Sequence, residues 1–181
     1  MKKIWLLYPD TTPQDSNAFG WFRDSFARYG LQVEILFWNG EGVIEGLERY
    51  PLPQVAIMRG YHSDLSRTLE TLGVRVINST DSMEACRDKR VTARILTAKG
   101  IPTPRIIPQP DSFPFVIKSP VGSKGEEVFL VEDAEQLAVA REHLRGLEPF
   151  CQEYIATSCG RDIRVWVIGG EVVGGLLRSN E

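Results

Sequence analysis

Two histidines and three cysteines are all that this 181-residue chain holds of the residues that most often carry nucleophilic or metal chemistry. His62 and His143 are isolated and read as a loop residue and a helix-face residue. Ser–His or Cys–His catalysis and histidine-rich metal sites therefore have little to build on. Cys86, Cys151 and Cys159 form an odd, scattered set whose spacing matches no zinc template. That argues against a disulfide framework and fits a reducing cytoplasm. No apolar run approaches the ~18 residues of a membrane-spanning helix. The short run from Ile4 to Tyr8 stops at Pro9-Asp10, so it reads as a buried first strand and not as a signal peptide. An excess of basic residues is missing too. With 21 Lys+Arg against 24 Asp+Glu, the net charge is −3, which argues against a broad nucleic-acid-binding face and leaves room for a local small-anion pocket. Neither G-x-G-x-x-G nor the P-loop pattern occurs. Chemistry is left to Lys, Arg, Asp, Glu and backbone amides.

What is present is an alternation of strand and helix signals. Apolar strands are expected at 3–8, 32–38, 55–58 and 74–77. Phe19, Phe22, Phe26 and Tyr29 recur at helical spacing before Gly30, and a short helix is expected at 65–72 before Gly73. Strands separated by helices imply βαβ units and a parallel sheet, hence an α/β fold for this part. Asp81-Ser82-Met83-Glu84 is a capping-box pattern, and a helix is expected to run from 81 to about 99, where Gly100, Pro102 and Pro104 end it. The proline-rich stretch 102–114 is the candidate linker. Beyond it the pattern becomes α+β. Strands at 115–118 and 128–131 form a hairpin around a glycine loop, a helix over 133–145 is capped by Asp133, and 150–155 is extended. Strands at 162–168 and 172–177 flank Gly169-Gly170, a tight-turn signal.

Four segments could carry chemistry. Lys118 ends a strand just before Gly122-Ser123-Lys124-Gly125, where free backbone amides and a nearby ammonium could hold phosphate oxygens. An ordinary hairpin loop with a surface lysine would look the same. Gln152-Glu153-Tyr154 could offer backbone groups to an adenine edge and a carboxylate to a ribose, or could be a strand with a polar outer face. Asp162, Arg164 and Trp166 share one face of a strand expected to be central. They read either as a surface ion pair or as the floor of a nucleotide cleft. Asp88-Lys89-Arg90 sits inside the expected helix as a solvated face. In addition, Arg59-Gly60-Tyr61 lies at the C-terminal end of a parallel strand, where such sheets place ligands.

In order, the segments resemble the ATP-grasp ligases, especially the RimK-like branch that joins amino acids to carboxylates. The resemblance rests on Asn78-Ser79, Arg87-Asp88-Lys89, Leu96, Gly100-Ile101-Pro102, Pro104, the strand ending at Lys118 with its glycine loop, Gln152-Glu153-Tyr154-Ile155, and Gly160, Asp162-Ile163-Arg164, Val167, Gly169 and Val172. It spans about residues 78–178. It implies a Rossmann-like domain preceding the ATP-grasp fold at 1–80, a connecting helix and linker at 81–104, and a first nucleotide-binding lobe at 105–181. It further implies that Lys89 and Lys118 contact ATP phosphates and that the loop of Gly122, Ser123, Lys124 and Gly125 closes over them. Gln152, Glu153 and Tyr154 would line the adenine and Asp162 would hold the ribose or a neighbouring polar group, while Arg164 and Arg178 would face the cleft where an acyl phosphate forms. The implied partners are ATP, an amino acid, and a carboxylate on a small molecule, peptide or protein tail. Nucleic acid and membrane are not expected, and a homo-oligomer is a possible assembly.

Two departures qualify what the resemblance implies. Glu126-Glu127 stands where the family loop has another glycine, and two carboxylates there would repel a polyphosphate unless they point outward. The part of the family carrying the magnesium ligands lies beyond residue 181, so Mg2+ is expected to be held there. The chain is then either a piece of a longer enzyme or a non-catalytic nucleotide-binding or scaffold module.

Overall fold

The computed structural model describes residues 2–122, 125–158 and 160–179. The chain divides into two compact units, Met1–Arg87 and Asp88–Glu181. The N-terminal unit runs β1 (Lys2–Pro9), α1 (Asn17–Ala27), β2 (Leu31–Trp38), β3 (Val55–Met58), α2 (Ser63–Thr71), β4 (Arg75–Ile77) and α3 (Thr80–Arg87). Its four strands form a parallel sheet in the order β2-β1-β3-β4. β1 lies inside the sheet with both faces covered, which is why it reads as an apolar run without alternation. Trp5, Leu6 and Leu7 are completely buried. Trp5, Leu7, Leu36, Trp38 and Met58 meet Leu65 and Leu69 of α2 on one face. Leu6, Tyr8, Val33 and Phe37 meet Phe19 and Phe22 of α1 on the other. Each fully buried side chain of this size contributes roughly 1.5–3 kcal/mol of transfer free energy.

The expected single helix over 81–99 is two helices. Asp88 interrupts it with an extended backbone (φ −95°, ψ 115°) and caps the second helix by accepting from the Arg90 amide at 2.7 Å. The first helix begins earlier than the capping-box reading places it. The Ser79 hydroxyl accepts from the Ser82 amide. Asp81 and Glu84 instead grip Arg67 at 2.7 and 2.8 Å.

The C-terminal unit contains α4 (Lys89–Ala98), β5 (Ile106–Ile107), β6 (Phe115–Lys118), β7 (Val128–Val131), α5 (Ala134–His143), β8 (Phe150–Glu153), β9 (Arg161–Ile168) and β10 (Glu171–Ser179). An antiparallel sheet in the order β5-β8-β6-β7 carries Phe115, Ile117 and Val131 against Ala140 of α5 and Leu144 just after it. Asp133 caps α5 by accepting from the Gln136 amide at 2.8 Å. The proline-rich stretch is more than a linker, because Ile106 and Ile107 pair with Gln152 and Cys151 as an edge strand.

β9 and β10 form a hairpin of their own, in which positive φ values of 61° and 90° at Gly169 and Gly170 match a type I′ turn. Among the described residues β9 pairs with β10 alone, so here it is not the central strand expected, and all eight of its residues are exposed. Alternation in a sequence names the two faces of a strand and leaves open whether anything covers them. Among the described residues, no helix is long and apolar enough to cross a membrane.

Candidate functional site

The site is built where β6 ends and α4 begins. The backbone amide of Lys89 donates to the carbonyl of Pro120 at 2.8 Å, and its ammonium donates to the carbonyl of Ser119 at 3.0 Å. Ser119 is buried, and its hydroxyl turns back to the carbonyl of Val121. Lys118, the preceding residue, holds its ammonium 5.4 Å above the Phe150 ring. Its pKa is pulled below the ordinary value of 10.5, first by burial and then by the neighbouring charge of Lys89. Among the described residues, neither ammonium has a carboxylate within ion-pair distance. A cation pushed toward its neutral form by burial, and further by a second cation, is a place where an anion gains free energy on arrival.

Strand register decides which residues share this face. Lys118 pairs with Phe150 and Val128, and Val116 pairs with Gln152 and Leu130. Directly opposed residues lie on the same side of an antiparallel pair. Val116, Lys118, Val128, Leu130, Phe150 and Gln152 therefore form one face, opposite the α5 core. Val128 and Leu130 remain about 40% exposed there (42% and 40%), an apolar platform beside a charge. Sequence reasoning missed Phe150, Val116 and Ser119. The alternation in 115–118 and 150–153 was visible, but the pairing that brings the two strands together is non-local.

The remaining expected residues divide. Gly122 and Gly125 have φ values of 128° and 82°, a backbone that side chains rarely adopt. A side chain at 122 would collide with the Glu127 carboxylate, so that carboxylate lies against the loop backbone. Ser123 and Lys124 lie outside the described residues. Gln152 is buried and donates to the Pro104 carbonyl. Glu153 pairs with Phe115, on the α5 side of the sheet, and its carboxylate lies 3.6 Å from the Arg105 guanidinium. Its backbone amide donates to the Arg105 carbonyl at 2.9 Å. Tyr154 follows the strand, half-buried. Asp162 and Arg178 are opposed across the β9–β10 hairpin and bonded through Nε at 2.9 and 3.1 Å. Arg178 holds the Asp162 carboxyl below its usual range. Arg164 faces Leu176 on the same ribbon and adds a smaller pull on Asp162. The pair expected within one strand is thus a pair between two strands, because Arg178, and not Arg164, stands opposite the acid.

Comparison with known proteins gives this geometry a setting. The model of the RimK-like ATP-grasp domain family matches residues 86–181, just over half of the chain. N-acetylaspartylglutamate synthase A of Homo sapiens is 34% identical over 151 residues, covering 74% of this chain and 38% of that protein. Beta-citrylglutamate synthase B of Mus musculus is 34% identical over 151 residues, covering 71% and 39%. The chain thus spans about two fifths of the length of these curated relatives. In fold it is similar to a RimK domain ATP-grasp protein of Sphaerobacter thermophilus, with a TM-score of 0.71 at 21% identity over 98% of this chain and 73% of that one.

Proposed function

Because the chain belongs to the RimK-like ATP-grasp domain family, we propose that it supplies the phosphate-gripping part of an ATP-dependent ligase joining an amino acid to a carboxylate. One observation carries the reading. Lys89 and Lys118 are drawn to the same peptide corner, at the foot of a glycine loop, with no carboxylate partner among the described residues. ATP, when bound, supplies the phosphoryl group that activates the carboxylate. In this proposal the two ammonium groups hold phosphate oxygens and the amides at 122 and 125 cover them. Val116, Val128 and Leu130 carry the base, and Gln152 orders the neighbouring backbone through Pro104. Such chemistry needs positioning and charge neutralisation more than a protein nucleophile, which suits a chain with two histidines. Arg164 and Arg178 belong to the reading as cleft cations, with Asp162 bonded to Arg178.

The names of the relatives denote glutamate joined to an N-acetylaspartyl or a citryl group. By that likeness, glutamate is the amine and a polycarboxylate the acceptor. Magnesium is a different matter. Among the described residues no group of three or more His, Cys, Asp or Glu is placed to hold a metal ion, so these residues do not fit the cation and no step is assigned to it. A reduced intracellular setting accords with the free thiols of Cys86 and Cys151.

Calorimetric titration with ATP tests the assignment. The wild-type chain is expected to bind more tightly than Lys118→Ala, and equal affinities would remove Lys118 from the site. The Glu127 carboxylate against Gly122 favours a second reading, a nucleotide-binding module without catalysis. Release of ADP by a full-length protein that contains this chain, only when glutamate and a polycarboxylate are both present, supports the ligase, whereas binding without release by that protein supports the module.

A further inference from the structure

The N-terminal unit holds a second pair of cations that the nucleotide reading does not use. β3 ends at Met58, and the Arg59 amide donates to the Leu7 carbonyl at 2.8 Å, fixing the chain at the C-terminal edge of the sheet. The Arg59 guanidinium then lies over two aromatic faces, 5.4 Å from the Phe22 ring and 5.9 Å from the Tyr8 ring. Two residues on, Tyr61 is 39% exposed and carries the Arg87 guanidinium 4.3 Å above its ring. Between them Gly60 passes the ends of β1 and β2 so closely that a Cβ would stand 3.0 Å from Trp38 and 3.2 Å from Pro9. Among the described residues, neither guanidinium has a carboxylate within ion-pair distance. Among the described residues the buried Tyr8 hydroxyl has no hydrogen-bond partner, Arg59 included.

A guanidinium laid on aromatic rings keeps its planar fork in one orientation with its N–H edges free, the geometry that matches a carboxylate with two parallel hydrogen bonds. The C-terminal edge of a parallel sheet is also where such folds bind small ligands. We infer that Arg59, with Arg87 beside Tyr61, forms an oxyanion subsite in the N-terminal unit that holds a carboxylate of a di- or tricarboxylate. The subsite names the substrate class of the ligase reading and rests on it. It also explains why the strand ends in Arg-Gly-Tyr, since a side chain at 60 would push the turn off the strand ends and move Arg59 and Tyr61.

The test is a calorimetric or NMR titration of the whole chain with citrate, succinate and inorganic phosphate, without nucleotide. Citrate and succinate are expected to bind, and Arg59→Gln to weaken them about tenfold or more by loss of a charge-assisted pair. Arg59→Lys should retain part of the affinity. Arg75→Gln, an exposed arginine on β4, should leave it unchanged. Equal citrate affinity in wild type and Arg59→Gln overturns the inference, as does phosphate binding as tightly as citrate, or no binding of either carboxylate at millimolar concentration. Since nucleotide is absent, this failure is separate from that of the ATP site. Citrate binding that depends on Arg59, beside ATP binding indifferent to Lys118→Ala, would keep the subsite and discard the ligase.

Discussion

Replacing Lys118 by methionine should move stability and binding in opposite directions. In the free protein the Lys118 ammonium is half-buried over Phe150 and repelled by Lys89, and both effects hold its pKa below 10.5. The charged form is thus present at a cost. Methionine keeps a similar length and covers the same apolar surface without that cost. Discounted for solvent screening, the gain in unfolding free energy is below ~1 kcal/mol, or a rise in Tm of about 2–4 °C at most for a chain of this size. With ATP the sign reverses. Loss of a charge-assisted contact to a phosphate oxygen costs about 1.5–3 kcal/mol, a weakening of roughly 10- to 150-fold. The pH dependence follows from the same cause. Between the lowered folded value and 10.5 the unfolded chain binds more protons than the native one, so wild-type stability rises with pH across that window and is unaffected below it. The methionine variant should lack this rise. Thermal denaturation from neutral to alkaline pH, paired with ATP titration, reads both effects. A variant that is clearly destabilised and binds ATP as before would refute the placement of Lys118 as an unpaired cation awaiting an anion.

Two further perturbations separate the loop from the helix. Glu127→Gln removes the negative charge that lies against Gly122 and should tighten ATP by about three- to tenfold, as expected for ~1 kcal/mol of screened repulsion; unchanged or weaker titration isotherms would place that carboxylate away from the phosphates. Asp88→Ala removes the cap of α4 and should cost about 1 kcal/mol in chemical denaturation. Because Arg90 holds the Asp88 carboxyl below 3.8, the wild-type contribution is present above that pH and is lost as pH falls through the lower folded value, so the alanine variant should show a flatter acid transition.

Much of this was legible in the residues. The strands at 55–58, 115–118 and 128–131 stand where their apolar runs ended, and Lys118 closes its strand as expected. The cap at Asp133 was equally local. Non-local decisions were not. The break at Asp88 follows from a backbone amide and an ammonium finding the carbonyls of Pro120 and Ser119, thirty residues away, which no helical period records. The partner of Asp162 depended on hairpin register, which a two-residue slip would have changed. Phe150 became the neighbour of Lys118 only through sheet order.

The double grip of Lys89 on the 119–120 peptide has a mechanical side. Helix start and strand end are welded into a single corner, so they translate together. Repacking deeper in α4, around the buried Ala93 for instance, would therefore be transmitted as leverage to the spacing of the two lysine head groups. The grip on a polyanion could then be tuned from residues that never meet it.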